Sequence, residues 1–464
     1  MSRRDRRGQG AASRGGRSEH VVGTLTEAFS DLMDANPTAF RAKFRTMARD
    51  PFAFYRGTAC LFYADVAGSG PFAGADDRWT QQDGARRVWI QGDLHAQNFG
   101  TYLDRDGRLV FDVNDFDEAY LGHWTWDPMR FCASLALLCW QKALPDDAID
   151  ELVGTYLRAY VEHVRHYVEA DDDTEWALTL ANARGGVLDA LRSARMSTRV
   201  QLLDGTTVVD DFERRFAQLP GVRRLDDAED SRVREAFERY VRTLPERSHD
   251  GTVTFDVLDV VGRSGFGIGS AGLPAYNVLI EGFSQALDND VVLTFKQGNV
   301  AAPSRVVDDP EVAGYFEHHG HRTALSQRAL QAHADRFLGW TELPGTHGPQ
   351  SGYVVSEYSP YEADLDWDGS AEPSDMVELV EQLGQATAKI HCVADDESEH
   401  DLVPVSVEEV VSACVGDDVD AFVQETTQFA HAYAEQVRTD HALFVDAFRS
   451  GGFGAVTSVA SPGE

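Results

Sequence analysis

Apolar residues recur at helical spacing between 21 and 47, at Leu25, Phe29, Leu32 and Met33 and again at Phe40, Phe44 and Met47. The pattern predicts two helices interrupted near Pro37. Short unbroken apolar runs at 88–90 and 109–111, bounded by turn residues, read as strands. Asp127, just ahead of Pro128, is placed to cap a strongly apolar helix over 131–144 and to tie its start to the preceding loop. Helical periodicity with charged faces continues at 148–168, 174–195 and 230–244. Strand patterns then dominate at 253–261, 273–280, 291–295 and 352–358, with a helical pattern at 311–337 between the last two. Amphipathic helices at 375–393 and 405–448 complete the chain.

A chain of 464 residues is too long for one compact core, so this alternation predicts an α+β protein of two lobes with a site between them. Residues 1–19, basic and rich in Gly and Ser, read as a disordered tail. Residues 20–250 form a helical lobe, 251–360 a smaller antiparallel β-rich lobe, 361–450 the remainder of the helical lobe, and 451–464 a small-residue tail.

The formal net charge of −34 and pI near 4.7 argue against a nucleic-acid or acidic-membrane partner, which such a field repels. Lysine occurs only at 43, 142, 296 and 389. Abundant acids with few lysines suit a high-salt cytoplasm, where screening removes much of the self-repulsion, and they make any lysine a candidate for a specific task. The five cysteines are dispersed and form no C-x-x-C pair, as expected of a reducing cytoplasm without a disulfide framework or zinc site. No apolar run approaches a membrane span, and the paired arginines near the amino terminus are not followed by the apolar stretch of a secretion signal.

The densest chemistry lies in Gln91-Gly-Asp-Leu-His-Ala-Gln-Asn98 and in Phe111-Asp-Val-Asn-Asp-Phe-Asp-Glu118. Asp93 and Asn98 have the spacing of a kinase catalytic loop, and Asp115-Phe116 follows across a short turn. Phosphoryl transfer needs one carboxylate to orient the attacking hydroxyl, here Asp93, and an amide oxygen with a second carboxylate to hold Mg²⁺, here Asn98 and Asp115. Asp117 either joins the metal or braces the loop, and His95 reads as an orienting or packing group. Single acids in such a window are as easily turn residues, as at Asp104-Arg-Asp-Gly107, so the combination carries the reading. Arg56 could meet phosphate or merely pack, whereas His163 and His166 lack an acidic pair and read as solvated.

A second stretch supplies glycines Gly265, Gly267, Gly269 and Gly272 after a strand. The G-x-G-x-x-G spacing also occurs in dinucleotide folds, but those place a helix next, whereas Pro274 and an alternating apolar run follow here. A strand, glycine turn and returning strand match the hairpin that covers ATP phosphates in kinases, and the following strand ends at Lys296, where the phosphate-binding lysine belongs. The helical pattern beyond it has no central Glu to pair with Lys296, leaving Glu311, Glu317 or a glutamine. The strand running into Glu357 reads as a hinge whose backbone could bond an adenine ring.

Gln91–Asn98 with Asp115-Phe-Asp117 resembles the H-G-D-x-x-x-x-N and D-F-D signature of aminoglycoside and choline phosphotransferases, with Gln91 in place of His. With Pro51-Phe-Ala-Phe-Tyr-Arg-Gly57 and the glycine-rich hairpin, the chain resembles the uncharacterised DUF2252 family from about residue 46 to 448. The resemblance implies a protein-kinase-like two-lobe fold using ATP and Mg²⁺ on a small-molecule hydroxyl. Because the catalytic loop precedes the glycine-rich hairpin, and because 383–391 resembles the helix ahead of that loop in phosphotransferases, it also implies circular permutation. AMP transfer, as in kinase-like selenoprotein O proteins, and a non-catalytic nucleotide-binding module are the alternatives, with a Rossmann oxidoreductase more distant. The acceptor and the oligomeric state are not encoded in any motif.

Overall fold

The computed structural model describes residues 3–456 apart from 69, 171–173, 246–247, 249–252, 264–272, 332, 345–350, 368–372 and 397–400. The chain begins with α1 (Arg3–Ala35), α2 (Pro37–Met47), α3 (Pro51–Arg56) and α4 (Ala59–Val66). Pro37 sits at the start of α2, where its missing N–H costs nothing, and Asn36 caps that helix by accepting from the Ala39 amide. The expected disordered tail is not found near Arg17, which lies in α1 and bonds both Asp65 and Asp440 at 2.5–2.9 Å. Two buried carboxylates anchor the arginine, which composition alone did not reveal.

The short strand β1 (Val88–Ile90) leads to the β2 (Phe99–Leu103) and β3 (Leu109–Val113) hairpin, whose turn is fixed by Asp104 accepting from the amides of Asp106 and Arg108. Then come β4 (Tyr120–Gly122), paired with β1, and the helices α5 (Trp126–Gln141) and α6 (Asp146–Ala170). Thr125, not Asp127, occupies the cap position of α5, and Asp127 lies in its first turn. The helix expected over 174–195 is shorter: β5 (Leu178–Thr179) joins the edge of β3, and α7 (Gly185–Met196) follows.

The smaller lobe starts earlier than the composition suggests. After α8 (Arg199–Thr206) come the hairpin β6 (Thr207–Asp210) and β7 (Glu213–Phe216), then β8 (Val222–Arg223) and α9 (Asp227–Val241). Amphipathic periodicity showed that α9 buries one face but not against what. Val233, Phe237 and Tyr240 pack with Val278, Leu293 and Phe295 in the core of the small lobe, which moves the boundary well before residue 250. The strands β9 (Val257–Arg263), β10 (Ala275–Ile280) and β11 (Val291–Gln297) follow, then α10 (Pro310–Tyr315), α11 (His319–Gln331), β12 (Gly339–Leu343) and β13 (Ser351–Glu357). All pairs in this six-stranded sheet, ordered β12-β13-β11-β10-β9-β8, are antiparallel. The helical pattern at 311–337 resolves into α10 and α11, broken at Phe316 and ending at Gln331.

Three further helices, α12 (Pro373–Cys392), α13 (Val407–Val415) and α14 (Val419–Arg449), return to the large core. There Leu383 and Ile390 of α12 join Leu152 and Tyr156 of α6, while Phe444 and Phe448 of α14 pack edge-on against Phe44. Among the described residues the cysteines are free, and no helix is long and apolar enough to cross a membrane.

Candidate active site

The acidic loop is held by one face of α5. Asp127, Arg130 and Ser134 stand at spacings of three and four and therefore project together. Asp127 accepts from the amides of Gln91 at 2.6 Å and Gly92 at 3.0 Å, Arg130 Nε donates to Asp93 Oδ1 at 2.7 Å, and Ser134 Oγ accepts from the Ala96 amide at 2.9 Å. Gly92 is required at its position: φ is +82°, and a Cβ would lie 2.1 Å from the Glu118 carbonyl oxygen. Tyr63 of α4 donates its hydroxyl to the Gly92 carbonyl at 2.7 Å, closing the loop from the other side.

Gln91, the departure from the phosphotransferase histidine, spans the two acidic segments. Its Oε1 accepts from the Asp93 amide at 2.8 Å and its Nε2 donates to the Asp115 carbonyl at 2.5 Å. Replacing Gln91 by Leu should therefore uncouple the segments and lower any activity at least tenfold with the fold retained, which turnover and circular dichroism together would check. Asn98 makes the parallel tie. Its Nδ2 donates to the Asp93 carbonyl at 2.9 Å and its own carbonyl accepts from the Asn114 amide at 3.1 Å, which leaves Oδ1 as the acceptor on that side chain. Asp115 has φ +56°, a conformation that Asp tolerates better than most residues and that recurs at functional sites.

Lys296, distant in sequence, reaches this cluster from β11 and forms an ion pair with Asp117. Burial alone would lower its pKa, but Asp117 and Asp115 together hold it above the ordinary lysine range. Neither Glu311 nor Glu317 fills the role of lysine partner. Glu311 pairs with Arg87 at 2.9 Å, and the α11 side chain reaching inward is Arg322, which donates to the carbonyls of Asp117, Ala119 and Asn299. Gln327 bonds Gln331, which donates to the Val113 carbonyl.

Burial pushes the Asp93 carboxyl up to about 7, with the charges of Glu118 and Asp115 acting in the same sense and Arg130 opposing them. Burial raises Asp115 and Glu118 as well, the former further by Asp117. His95, buried and beside Arg56 and Arg130, is held well below its usual pKa and is neutral; its Nδ1 accepts from the Gln97 amide. Asp93, Asp115, Asp117 and Glu118 line one cavity together with Lys43, Arg56 and Arg305.

Other residues singled out in the sequence fall elsewhere. Glu357 is buried, its carboxylate 2.6 Å from Arg199 and its amide donating to Asp335 Oδ2 at 2.8 Å, while the Tyr358 amide donates to the Val292 carbonyl. Neither of those two amides faces a purine. Gly265, Gly267, Gly269 and Gly272 lie outside the described residues; the strands flanking them are antiparallel neighbours with Arg263 opposite Ala275, whereas a dinucleotide-binding crossover joins parallel strands. Arg130, Glu118, Lys43 and Arg305 were missed. The one legible signal among them was an arginine inside the otherwise apolar run of α5.

No group of three or more His, Cys, Asp and Glu suited to a metal ion occurs among the described residues. The donors at the loop are instead two carboxylates, Asp115 and Asp117, and the Asn98 amide oxygen. These are hard oxygen atoms, the donor type that Mg²⁺ takes, with Asp115 and Asp117 lining the cavity.

Comparison with known families finds a match over residues 35–447 to one described as "Uncharacterized protein conserved in bacteria (DUF2252)". No curated protein and no solved structure matches the chain.

Proposed function

The chain belongs to the DUF2252 family, and from that premise we propose an ATP- and Mg²⁺-dependent phosphotransferase acting on a small-molecule hydroxyl. The observation that carries the reading is the meeting of two distant segments: Lys296 of the antiparallel sheet lies against Asp117, two residues from Asp115 and in the cavity that Asp93 lines. An isolated acidic cluster would not need a half-buried lysine from the other lobe. A site that grips nucleotide phosphates would.

In this reading the acceptor oxygen attacks the γ-phosphorus of ATP. The bond from that phosphorus to the β,γ-bridging oxygen breaks, ADP leaves, and the hydroxyl proton passes to Asp93. A carboxyl with a pKa of about 7 is matched to that task near neutrality. Arg130 occupies Oδ1 and so fixes the carboxylate, while Lys296 brings positive charge to the phosphates. Asp115 and Asn98 would hold Mg²⁺, with Asp117 shared between it and Lys296. Bound there, Mg²⁺ would offset charge on the β- and γ-phosphate oxygens.

Circular permutation belongs to the same proposal. The last turn of α12 brings His391 Nε2 to 3.3 Å from Asp127 Oδ2, and Asp127 holds the start of the acidic loop. The helix that the phosphotransferase resemblance places ahead of that loop is thus its spatial neighbour, although it follows by almost 300 residues in sequence. AMP transfer is favoured by one observation, the pairing of Lys296 with Asp117 instead of with a helix glutamate. Mass analysis after incubation with ATP separates a phosphoryl adduct from an adenylyl one.

Calorimetric titration of ATP tests the main reading. Mg²⁺ should tighten binding to the wild type by at least tenfold and do little for Asp115→Ala; a wild type indifferent to Mg²⁺ would remove the proposal.

A further inference from the structure

The cavity that the acids line also holds cations that the proposed reaction leaves unused. Lys43 of α2 is 5% exposed, with its ammonium 4.2 Å from the centre of the Phe29 ring. Among the described residues it has no carboxylate within ion-pair distance. Arg56 of α3 lines the same cavity, and its buried Nε has no hydrogen-bond partner. Arg305, at the rim, donates only to the Ala28 carbonyl among the described residues. Two of the four carboxylates, Asp93 and Asp117, pair directly with Arg130 and Lys296, while Lys43 and Arg56 act on Glu118 and Asp115 through space without an ion pair among the described residues, so their N–H donors stay open to a ligand. In a chain of net charge −34 with four lysines, burying one without a partner is costly. Burial lowers the Lys43 pKa against the opposing pull of Cys60, Glu118 and Asp93.

Resting on the reading of this cleft as a phosphotransferase site, we infer that its acceptor carries an anionic group, a phosphate ester or a carboxylate, received by Lys43 and Arg56 with Arg305 closing over it. The acidic surface suggests a cationic or neutral acceptor, but Lys43, Arg56 and Arg305 offer contacts of the opposite sign within the cavity, and contact groups outweigh a screened distant field. The reacting hydroxyl then points across the cavity to Asp93, with the nucleotide approaching from Lys296.

Inorganic phosphate and acetate serve as probes, titrated calorimetrically at constant ionic strength into the full chain, alone and with saturating Mg²⁺-ADP. Phosphate should bind in both conditions, and Lys43→Met and Arg56→Gln should each weaken it at least tenfold while Mg²⁺-ATP binding stays unchanged. Acetate binding as tightly as phosphate assigns the anionic group as a carboxylate, and weaker acetate assigns it as a phosphate ester. Phosphate that fails to bind, binds equally to the variants, or is displaced by Mg²⁺-ADP overturns the inference; the last result gives these cations to the nucleotide. The displacement measurement needs no variant and so survives any folding defect. Phosphate bound through Lys43 and Arg56 in a protein that ignores Mg²⁺-ATP would instead sink the phosphotransferase reading and leave the anion site standing.

Discussion

Asp93→Asn is expected to leave Mg²⁺-ATP binding within a few-fold of wild type and to lower ATP turnover by about 10²–10⁴, the contribution of a positioned general base. The readout is ADP release, with water as acceptor if no better one is known. A second effect must be separated from the first. Arg130 is completely buried and has Asp93 as its carboxylate partner, so neutralising Asp93 strands a guanidinium charge, at a cost of about 3–5 kcal/mol in stability. The double variant Asp93→Asn/Arg130→Met removes the stranded charge. It should regain most of the lost unfolding temperature and none of the turnover. Equal ADP release by wild type and Asp93→Asn would show that the carboxylate does no chemistry.

Lys389→Met is expected to be the most destabilising single change outside the cleft. Lys389 Nζ lies 2.6 Å from Asp112 Oδ2, both side chains are 3% exposed, and the ammonium also reaches the carbonyls of Leu330 and Gln331. Removing it leaves a buried carboxylate without its counter-charge, again about 3–5 kcal/mol. The sign with pH follows from linkage. Burial already raises Asp112 against the pull of Lys389, and without the lysine it rises further above its unfolded value near 4. A raised carboxyl costs nothing below the unfolded pKa and progressively more as pH climbs through the folded one. The deficit of the variant relative to wild type should therefore be smaller at pH 5 than at pH 8, and Asp112→Leu/Lys389→Met should remove most of it. Urea unfolding at the two pH values measures both.

Much of the cleft was legible because its signals are short in sequence. Asp93, Asn98 and Asp115 sit just beyond apolar runs that form β1 and β3, and Asp104–Arg108 turns as its composition indicates. Lys296 stood out through scarcity, and two others of the four lysines, Lys43 and Lys389, are buried. What could not be read is whatever depends on which faces meet. An amphipathic pattern says that α9 buries a stripe, not that the stripe packs on the small sheet. The partner of Lys296 was sought on the helix after it, yet Asp117 was closer in space. Glu357 read as a hinge from the strand before it, but whether its amide is free depends on Asp335, which only the tertiary arrangement brings there.

The separation along the chain between the acidic loop and its supports has a temporal consequence. Asp112 and Asp127 leave the ribosome early, yet Lys389 and His391 follow 277 and 264 residues later, and Asp440 meets Arg17 across 423. Contacts of such range slow folding, and nascent fragments ending before α12 must expose carboxylates that the finished protein buries. Synthesis therefore passes α12 before the pocket can close, and a chain truncated ahead of that point should be captured by chaperones or proteases instead of accumulating in folded form.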